Sequence, residues 1–373
     1  MISRLKLRDF KIHSNLELRL GNMTILTGQN GMGKSSVMQS LLLLRQSCNP
    51  QVGITGLNLK GDLIDLGGAN DIECHSSTDG VLDIRLLHGD SNELVFKFSY
   101  DVDSYETYLP VIEIKPNLEV MTQCPLFTNN FQYISAFRLG PQKGYERDTN
   151  IVQYQRQISK VNGQCEYAIH FLAYYGNKIH CIPELLYNKN DENDLLETQV
   201  KRWMQHISPR VNIVVEPSGA DFKLNYKFGR EENPMTEEMA AVNVGYGVTY
   251  VLPIILAVLS SKPGSLILIE NPEAHIHPKA QAELMKLMMR AAKAGIQIII
   301  ETHSDHIMNG ALVAVVEEPE TVDLVRAYYF QRDDKTHTSL PCELKLLKDG
   351  RIENPPKGFF DQIDIDMRTI MGF

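Results

Sequence analysis

With 43% hydrophobic and 22% charged residues over 373 positions, the chain is an ordinary globular protein able to bury a large core. Its formal net charge of −9 excludes a surface that is basic all over, so any nucleic-acid contact has to be a local patch. No apolar run reaches the roughly eighteen residues that span a bilayer, and six scattered cysteines without CxxC spacing point to free thiols, so a cytoplasmic protein without a membrane partner is expected.

Residues 2–20 alternate, Ile2, Leu5, Leu7 and Phe10 against Arg4, Lys6, Arg8 and Lys11, then Leu16, Leu18 and Leu20 against Glu17 and Arg19. This is the period of two half-buried strands joined around His13-Ser14-Asn15, and it makes the N-terminus a strand and not a signal peptide. Arg4, Lys6 and Arg8 share one face, either simply solvated or a local basic face for a DNA backbone.

The strongest signal follows at Gly28-Gln29-Asn30-Gly31-Met32-Gly33-Lys34-Ser35, continued by Ser36. An apolar strand, Met23–Leu26, leads into it and an apolar helix, Val37–Leu44, leaves it, which is GxxxxGK[ST] in its strand–loop–helix setting. Glycines let successive N–H groups turn toward one phosphate, and the helix N-terminus adds partial positive charge. Lys34 is placed to reach the β- and γ-phosphates of ATP and Ser35 to ligate Mg²⁺. By position alone, Phe10 and Lys11 could touch the adenine.

Beyond the helix, Leu63–Ile72 reads as strand and turn, and Val81–His88 and Glu93–Tyr100 as strands turned at Gly89-Asp90. Tyr105–Val120 continues the alternation, completing an antiparallel layer. Gln132–Arg138 is a further strand, ended by Gly140-Pro141; whether Arg138 reaches the nucleotide is open. Residues 142–195 are polar and irregular, with an acidic run from Asn188 to Asp194, and read as a surface insertion. Leu196, Val200, Trp203 and Ile207 recur at helical spacing with Trp203 in the core, and strands follow at Val211–Val215 and Asp221–Phe228.

Asn243-Val244-Gly245-Tyr246-Gly247-Val248-Thr249 stands at the entrance of an apolar helix, where two glycines again suggest anion capture. One chain does not easily place two such loops on one phosphate, but a second copy can, giving a dimer with ATP between the subunits. Leu266–Ile269 is a buried strand ending in Glu270, the acid expected opposite Ser35 around Mg²⁺. Asn271-Pro272-Glu273-Ala274-His275-Ile276-His277-Pro278 and a helix over Lys279–Ala294 come next. A second buried strand, Ile296–Ile300, ends in Glu301-Thr302-His303-Ser304, with His303 placed to sense the γ-phosphate. His275, His277 and His303 carry only a weak zinc signal, lacking supporting spacing. A strand pair at Val325–Phe330 and Cys342–Leu347 turns at Asp349-Gly350.

These stretches, in this order, resemble the ABC-type ATPases of the RecF, SMC and OLD (overcoming-lysogenisation-defect) group, and look like stand-alone bacterial AAA family ATPases. The resemblance covers about residues 1–140 and 240–373. It rests on Walker A at Gly28–Ser35, Walker B ending at Glu270 in IENPEAHIHP, ETHSDH with the switch His303, and NVGYGVTYVLP where the signature loop belongs; Gly358–Gln362 is reminiscent of the subgroup. Two departures stand out. Asn271 falls on the catalytic glutamate, and an amide is no general base, so Glu273 is the expected substitute and hydrolysis is expected to be slow. The signature loop lacks LSGGQ. Asp364-Ile365-Asp366 is a DxD without a preceding acid strand, so no Toprim nuclease is expected.

The expected fold is therefore α/β, a P-loop NTPase of ABC-ATPase type with an antiparallel β layer and a helical/β insertion. One ATPase unit spans the chain: 1–140 the β layer and P-loop, 142–240 the insertion, 241–320 signature loop, Walker B and switch histidine, 321–373 a β pair and tail. The resemblance implies an ATP–Mg²⁺-dependent homodimer or higher oligomer, hydrolysing slowly and controlling a separate nuclease or toxin in antiphage defence. The alternatives are a RecF-like DNA-repair clamp and a non-hydrolysing ATP-gated scaffold.

Overall fold

The computed structural model describes residues 1–75, 79–89, 92–101, 104–229, 235–356, 358–359 and 362–372. Of the expected features, Asp90 in its turn and Phe360 and Asp361 in the C-terminal segment lie outside the described residues.

The apolar runs around the glycine loop assemble side by side. A seven-stranded sheet runs in the order Phe131–Ile134, Leu266–Glu270, Gln297–Glu301, Met23–Gly28, Val325–Arg332, Ser339–Leu346, Ile352–Glu353. The first five strands are mutually parallel and the last two antiparallel. Unbroken apolar stretches suit such strands because both faces are covered. Alternate residues go to opposite sides. Met23, Ile25, Ile267, Ile269, Ile298 and Ile300 enter one core, with the helices Tyr246–Ser260, Pro278–Lys293 and Asp305–Glu317. Leu26, Leu266, Leu268 and Ile299 enter the other, with the glycine-loop helix Lys34–Ser47. By that alternation Glu270 and Glu301, one residue past Ile269 and Ile300, both turn to the side of the helix Lys34–Ser47.

The antiparallel layer is a six-stranded sheet in the order His13–Arg19, Ile2–Phe10, Val81–His88, Asn92–Ser99, Tyr108–Lys115, Gly56–Asn58. It shares the second core with the helix Lys34–Ser47. The expected alternation through Val120 stops at Lys115, since the Asn117 side chain caps a short helix, Leu118–Met121, by accepting from the Val120 N–H. Gln297 ties the two sheets together. Its buried side-chain amide accepts from the Ile2 N–H at 2.9 Å and donates to the Ile2 carbonyl at 2.6 Å and the Gly21 carbonyl at 3.0 Å.

Residues 142–195 differ from the expected surface insertion. Ile151, Val152, Ile158, Phe171 and Leu185 are buried in the first core, and a helix, Ala168–Tyr175, packs there too. Trp203 is buried as expected, its indole N–H donating to the Leu185 carbonyl at 2.9 Å. Most polar residues of this segment are the outward side of a packed layer, while Glu166 and His170 are buried within it. Among the described residues no helix is long and apolar enough to cross a membrane.

Candidate functional site

The glycine loop emerges where the strand Met23–Gly28 ends, and the helix Lys34–Ser47 begins immediately after Gly33. Gly33 has φ 97°, and a Cβ there would come within 2.8 Å of the His13 ring and of Ile12. Only glycine meets both demands. His13, from the antiparallel layer, supports the loop by donating Nε2–H to the Gly33 carbonyl at 2.9 Å.

Lys34 is buried and folds back on its own loop, donating to the Gly28 carbonyl at 2.9 Å and the Gln29 carbonyl at 2.7 Å. Burial lowers its pKa, opposed by the charges of Glu301 and Glu273. Residues Asn30 to Ser36 line a cleft of about 350 Å³ together with Lys11, Ile12, Gln39 and Glu301. Lys11 thus borders the loop as its position suggested, hydrogen-bonded to Gln39 at 2.8 Å. Phe10 does not, being fully buried in the core.

The acid facing Ser35 is not the expected one. Ser35 donates its hydroxyl to Glu301 Oε1 at 2.8 Å, and the same oxygen lies 4.0 Å from the Lys34 ammonium. Glu270 sits one strand further out, in register with Glu301. Its Oε1 accepts from the Tyr133 hydroxyl at 3.0 Å and its Oε2 from the Ala136 N–H at 3.1 Å. Ser35 and Glu270 share a second cleft, of about 450 Å³, with Tyr133, Ser135 and Phe137. Both acids have raised pKa values because they are buried. The Ala136 N–H and the Tyr133 hydroxyl oppose this at Glu270, the Ser35 hydroxyl at Glu301. Glu301 is absent from the expected site residues. The signal was present: two apolar strands each end in Glu, and only the order of strands in the sheet says which one meets Ser35.

Glu273 has no free carboxylate oxygen. Oε2 accepts from the Thr302 hydroxyl and Oε1 from the His303 N–H, both at 2.8 Å. These contacts engage one lone pair on each oxygen, and as placed Glu273 aims the His303 segment. His303 itself is exposed and hydrogen-bonds the Gly28 carbonyl. Desolvation and then the Lys34 charge lower its pKa, against the raising effects of Glu273 and the Gly28 carbonyl. Asn271 has φ 43°, a conformation asparagine tolerates, and its N–H bonds the Glu301 carbonyl at 2.8 Å.

The Asn243–Thr249 stretch divides. Asn243 and Gly245 are exposed at the helix entrance. Gly247 is pressed against the loop after Glu270, where a Cβ would meet the His275 carbonyl oxygen at 2.2 Å. Thr249 is 3% exposed and shares a 3.1 Å hydrogen bond with the Tyr226 hydroxyl, so the contact with a second copy's phosphate expected of it is not open to it. The helical phase turns it inward, a direction the loop reading ignored.

Arg138 is missing from the expected site residues and is central to its framework. Its buried guanidinium donates to the Ser135, Glu270, Asn271 and Tyr250 carbonyls at 3.1, 3.0, 2.9 and 2.9 Å. The signature helix and the Glu270 strand end are therefore clamped by one buried side chain, four of whose five N–H donors are engaged by these carbonyls. The basic strand face carries exposed ion pairs: Arg4 and Lys6 share Glu17 at 3.1 and 3.3 Å, and Arg8 pairs with Asp79 at 2.7 Å.

A family model described as "AAA domain, putative AbiEii toxin, Type IV TA system" matches residues 23–309. Residues 321–370 match a family of unknown function, DUF3696. An OLD nuclease of Thermus scotoductus (strain ATCC 700910 / SA-01) is 21% identical over 361 residues, 91% of this chain and 64% of that protein. The chain thus spans less than two thirds of that relative's length. Two SMC head structures share the fold. The head bound to the C-winged helix domain of ScpA gives TM-score 0.53 at 15% identity, covering 92% of this chain and 98% of that one. The head with an extended coiled coil, bound to the C-terminal domain of ScpA derived from Pyrococcus furiosus, gives 0.51 at 14% identity, covering 100% and 98%.

Proposed function

This chain belongs to the AAA-domain family described as putative AbiEii toxin, type IV toxin–antitoxin system; from that premise we propose that it is an ABC-type ATPase of the OLD/SMC-like group that works as an ATP–Mg²⁺-driven homodimer. ATP binds along Gly28–Ser36, with the loop N–H groups and Lys34 on its phosphates. Lys34 exchanges the Gly28 and Gln29 carbonyls for phosphate oxygens, a stronger partner for an ammonium. His303, held over the loop, faces the terminal phosphate. Asn243 and Gly245, exposed at the helix entrance, meet the nucleotide of a second copy.

A hydroxyl and a carboxylate at Ser35 are hard oxygen donors, the set Mg²⁺ takes alongside phosphates and water. When bound, the cation neutralises charge on the transferred phosphoryl group. With Asn271 on the glutamate position and Glu273 engaged, water is poorly activated and turnover is slow. The output is a change of subunit arrangement passed to a separate effector, a nuclease or toxin, in antiphage defence; the 142–240 segment, packed on the signature helix, is its route outward.

The observation that carries this reading is the convergence of Lys34, Ser35, Glu301 and the Glu273-held His303 on one glycine loop. The test is mass measurement with and without ATP–Mg²⁺, beside phosphate release. The wild type should shift from monomer to dimer and release phosphate, and Lys34→Ala should do neither. A wild type that binds no ATP overturns the reading.

A further inference from the structure

A third sheet runs in the order Val211–Ser218, Asp221–Phe228, Met239–Ala240, so Val211–Ser218 is an edge strand. Val211 and Ile213 turn into the first core, against the helices Ala168–Tyr175 and Leu196–Ile207. Among the described residues, no backbone N–H or carbonyl of 212–217 has a hydrogen-bond partner outside the strand Asp221–Phe228. Such edges are commonly blunted by a lysine, a proline or a bulge. Here Ile213-Val214-Val215 carries no charge, the pairing has no bulge, and Pro217 comes only near the strand end.

Beside that edge runs a groove of about 530 Å³, larger than either cleft at the glycine loop. Asn212 to Val215 line it in unbroken sequence. Alternate side chains of a strand point apart, so an unbroken run marks the backbone edge and not one face. His170, 5% exposed, lines the groove too. Its ring stacks on Phe222 with centroids 5.4 Å apart, and its Nδ1 accepts from the Asp148 N–H at 3.2 Å. In the neutral ring the proton is therefore on Nε2, a donor without a partner among the described residues.

We propose that this groove takes an extended segment of a partner protein, which adds as a further strand to the Val211–Ser218 edge. A run of extended backbone is the occupant that meets several edge N–H and carbonyl groups at once, while its alternate side chains decide which partner fits. Charge narrows the choice. Glu197 and Lys201, both on the groove, have no ion-pair partner among the described residues. Residues four apart on a helix lie about 6 Å apart and alternate residues of a strand about 6.8 Å, so a segment with an acid and a base two positions apart matches both. A groove flanked by two helices admits one extended strand more readily than the edge of a folded second copy. An effector bound here would rest on the 142–240 segment; that identity depends on the proposed function, and the groove does not.

The probe is a displayed library of random peptides of about twelve residues, selected on the full chain without nucleotide, so that a failure of the ATP reading leaves the test intact. Enriched peptides should alternate apolar and polar residues and carry an acid and a base two positions apart. At saturation they should slow amide exchange across Val211–Ser218 by about tenfold or more, read by mass spectrometry. Exchanging the charges, Glu197→Lys with Lys201→Glu, should weaken them about tenfold and, on reselection, invert the order of acid and base. His170→Phe keeps the ring stack and loses the donor, so affinity should fall about fivefold. Strand N–H groups alternate between the two sides, so one of Val214→Pro and Val215→Pro spares the existing ladder. That variant should abolish binding; if neither folds, the charge exchange decides. No enrichment overturns the proposal, as do enriched peptides that bind the charge-exchanged chain unchanged and leave Val211–Ser218 unprotected. Loss of the ATP-dependent dimer in the ladder-sparing proline variant overturns it as well, by making the edge a contact between copies.

Discussion

Glu273 holds the backbone N–H of His303 at 2.8 Å, across a gap of 30 residues in sequence, while its other oxygen takes the Thr302 hydroxyl. The residue expected to act on water also aims the His303 segment beside the glycine loop. Glu273→Gln keeps one acceptor but puts an NH₂ against a donor. Turnover should fall about tenfold, some 1.4 kcal/mol of activation free energy, with ATP affinity nearly unchanged. The Glu273 charge raises the His303 pKa, so the variant should titrate His303 at lower pH by NMR. Wild-type turnover with an unmoved His303 titration would sink the idea.

Arg138→Ala strands the carbonyls of Ser135, Tyr250, Glu270 and Asn271 in the interior. Buried groups left without a donor cost about 1–3 kcal/mol each before relaxation. A net loss of roughly 3–5 kcal/mol in urea unfolding is expected, comparable to breaking a buried ionic contact. Arg138→Lys, with one compact ammonium in place of a planar fork, should recover only part. A change under about 1 kcal/mol for the alanine variant, within reach of an ordinary surface substitution, would refute the clamp.

Burial lowers the His13 pKa from 6.5 to about 4. The unfolded chain takes up the proton below 6.5 and the folded chain does not, so stability is lost as pH falls from about 6.5 toward 4, by on the order of 3 kcal/mol. The raised pKa values of Glu270 and Glu301 act in the opposite sense, so the difference between wild type and His13→Gln isolates the histidine. Urea unfolding at pH 7, 5 and 4 measures it. Parallel pH curves for the two proteins would contradict the assignment.

Gly247 and Gly245 make a matched pair. A methyl at Gly247 would overlap the His275 carbonyl oxygen, whereas at Gly245 nothing lies within 4 Å and φ is −54°. Gly247→Ala should cost about 1–3 kcal/mol by forcing the helix entrance off the loop after Glu270. Gly245→Ala should change stability by less than about 0.5 kcal/mol. Thermal unfolding of both variants checks this, and equal effects would show that the close approach is not what selects glycine at Gly247.

The glycine loop was legible because every feature it needs is local: a strand, a run of eight residues and a helix start. The central strands were legible too, since Ile298–Ile300 and Leu266–Ile269 are apolar throughout and the parallel sheet buries both faces. The partner of Ser35 was not, because it depends on which of two acid-ended strands lies next to the loop strand. Thr249 was misread for a related reason: the loop pattern names residues, while the helix phase decides which point outward. Residues 142–195 hid their core residues, Ile151, Ile158, Phe171 and Leu185, among polar neighbours with no steady period, and a π-helical turn at Asn150–Tyr154 follows neither the strand nor the helix repeat.

Gln297 gives the Ile2 backbone the two partners that a neighbouring strand would otherwise supply, and it does so from the strand that ends in Glu301. One buried side chain thereby links the strand that carries Glu301 to the first strand of the β layer, across 295 residues of sequence. The Ile2 amide, though second in the chain, should exchange its proton as slowly as an interior strand.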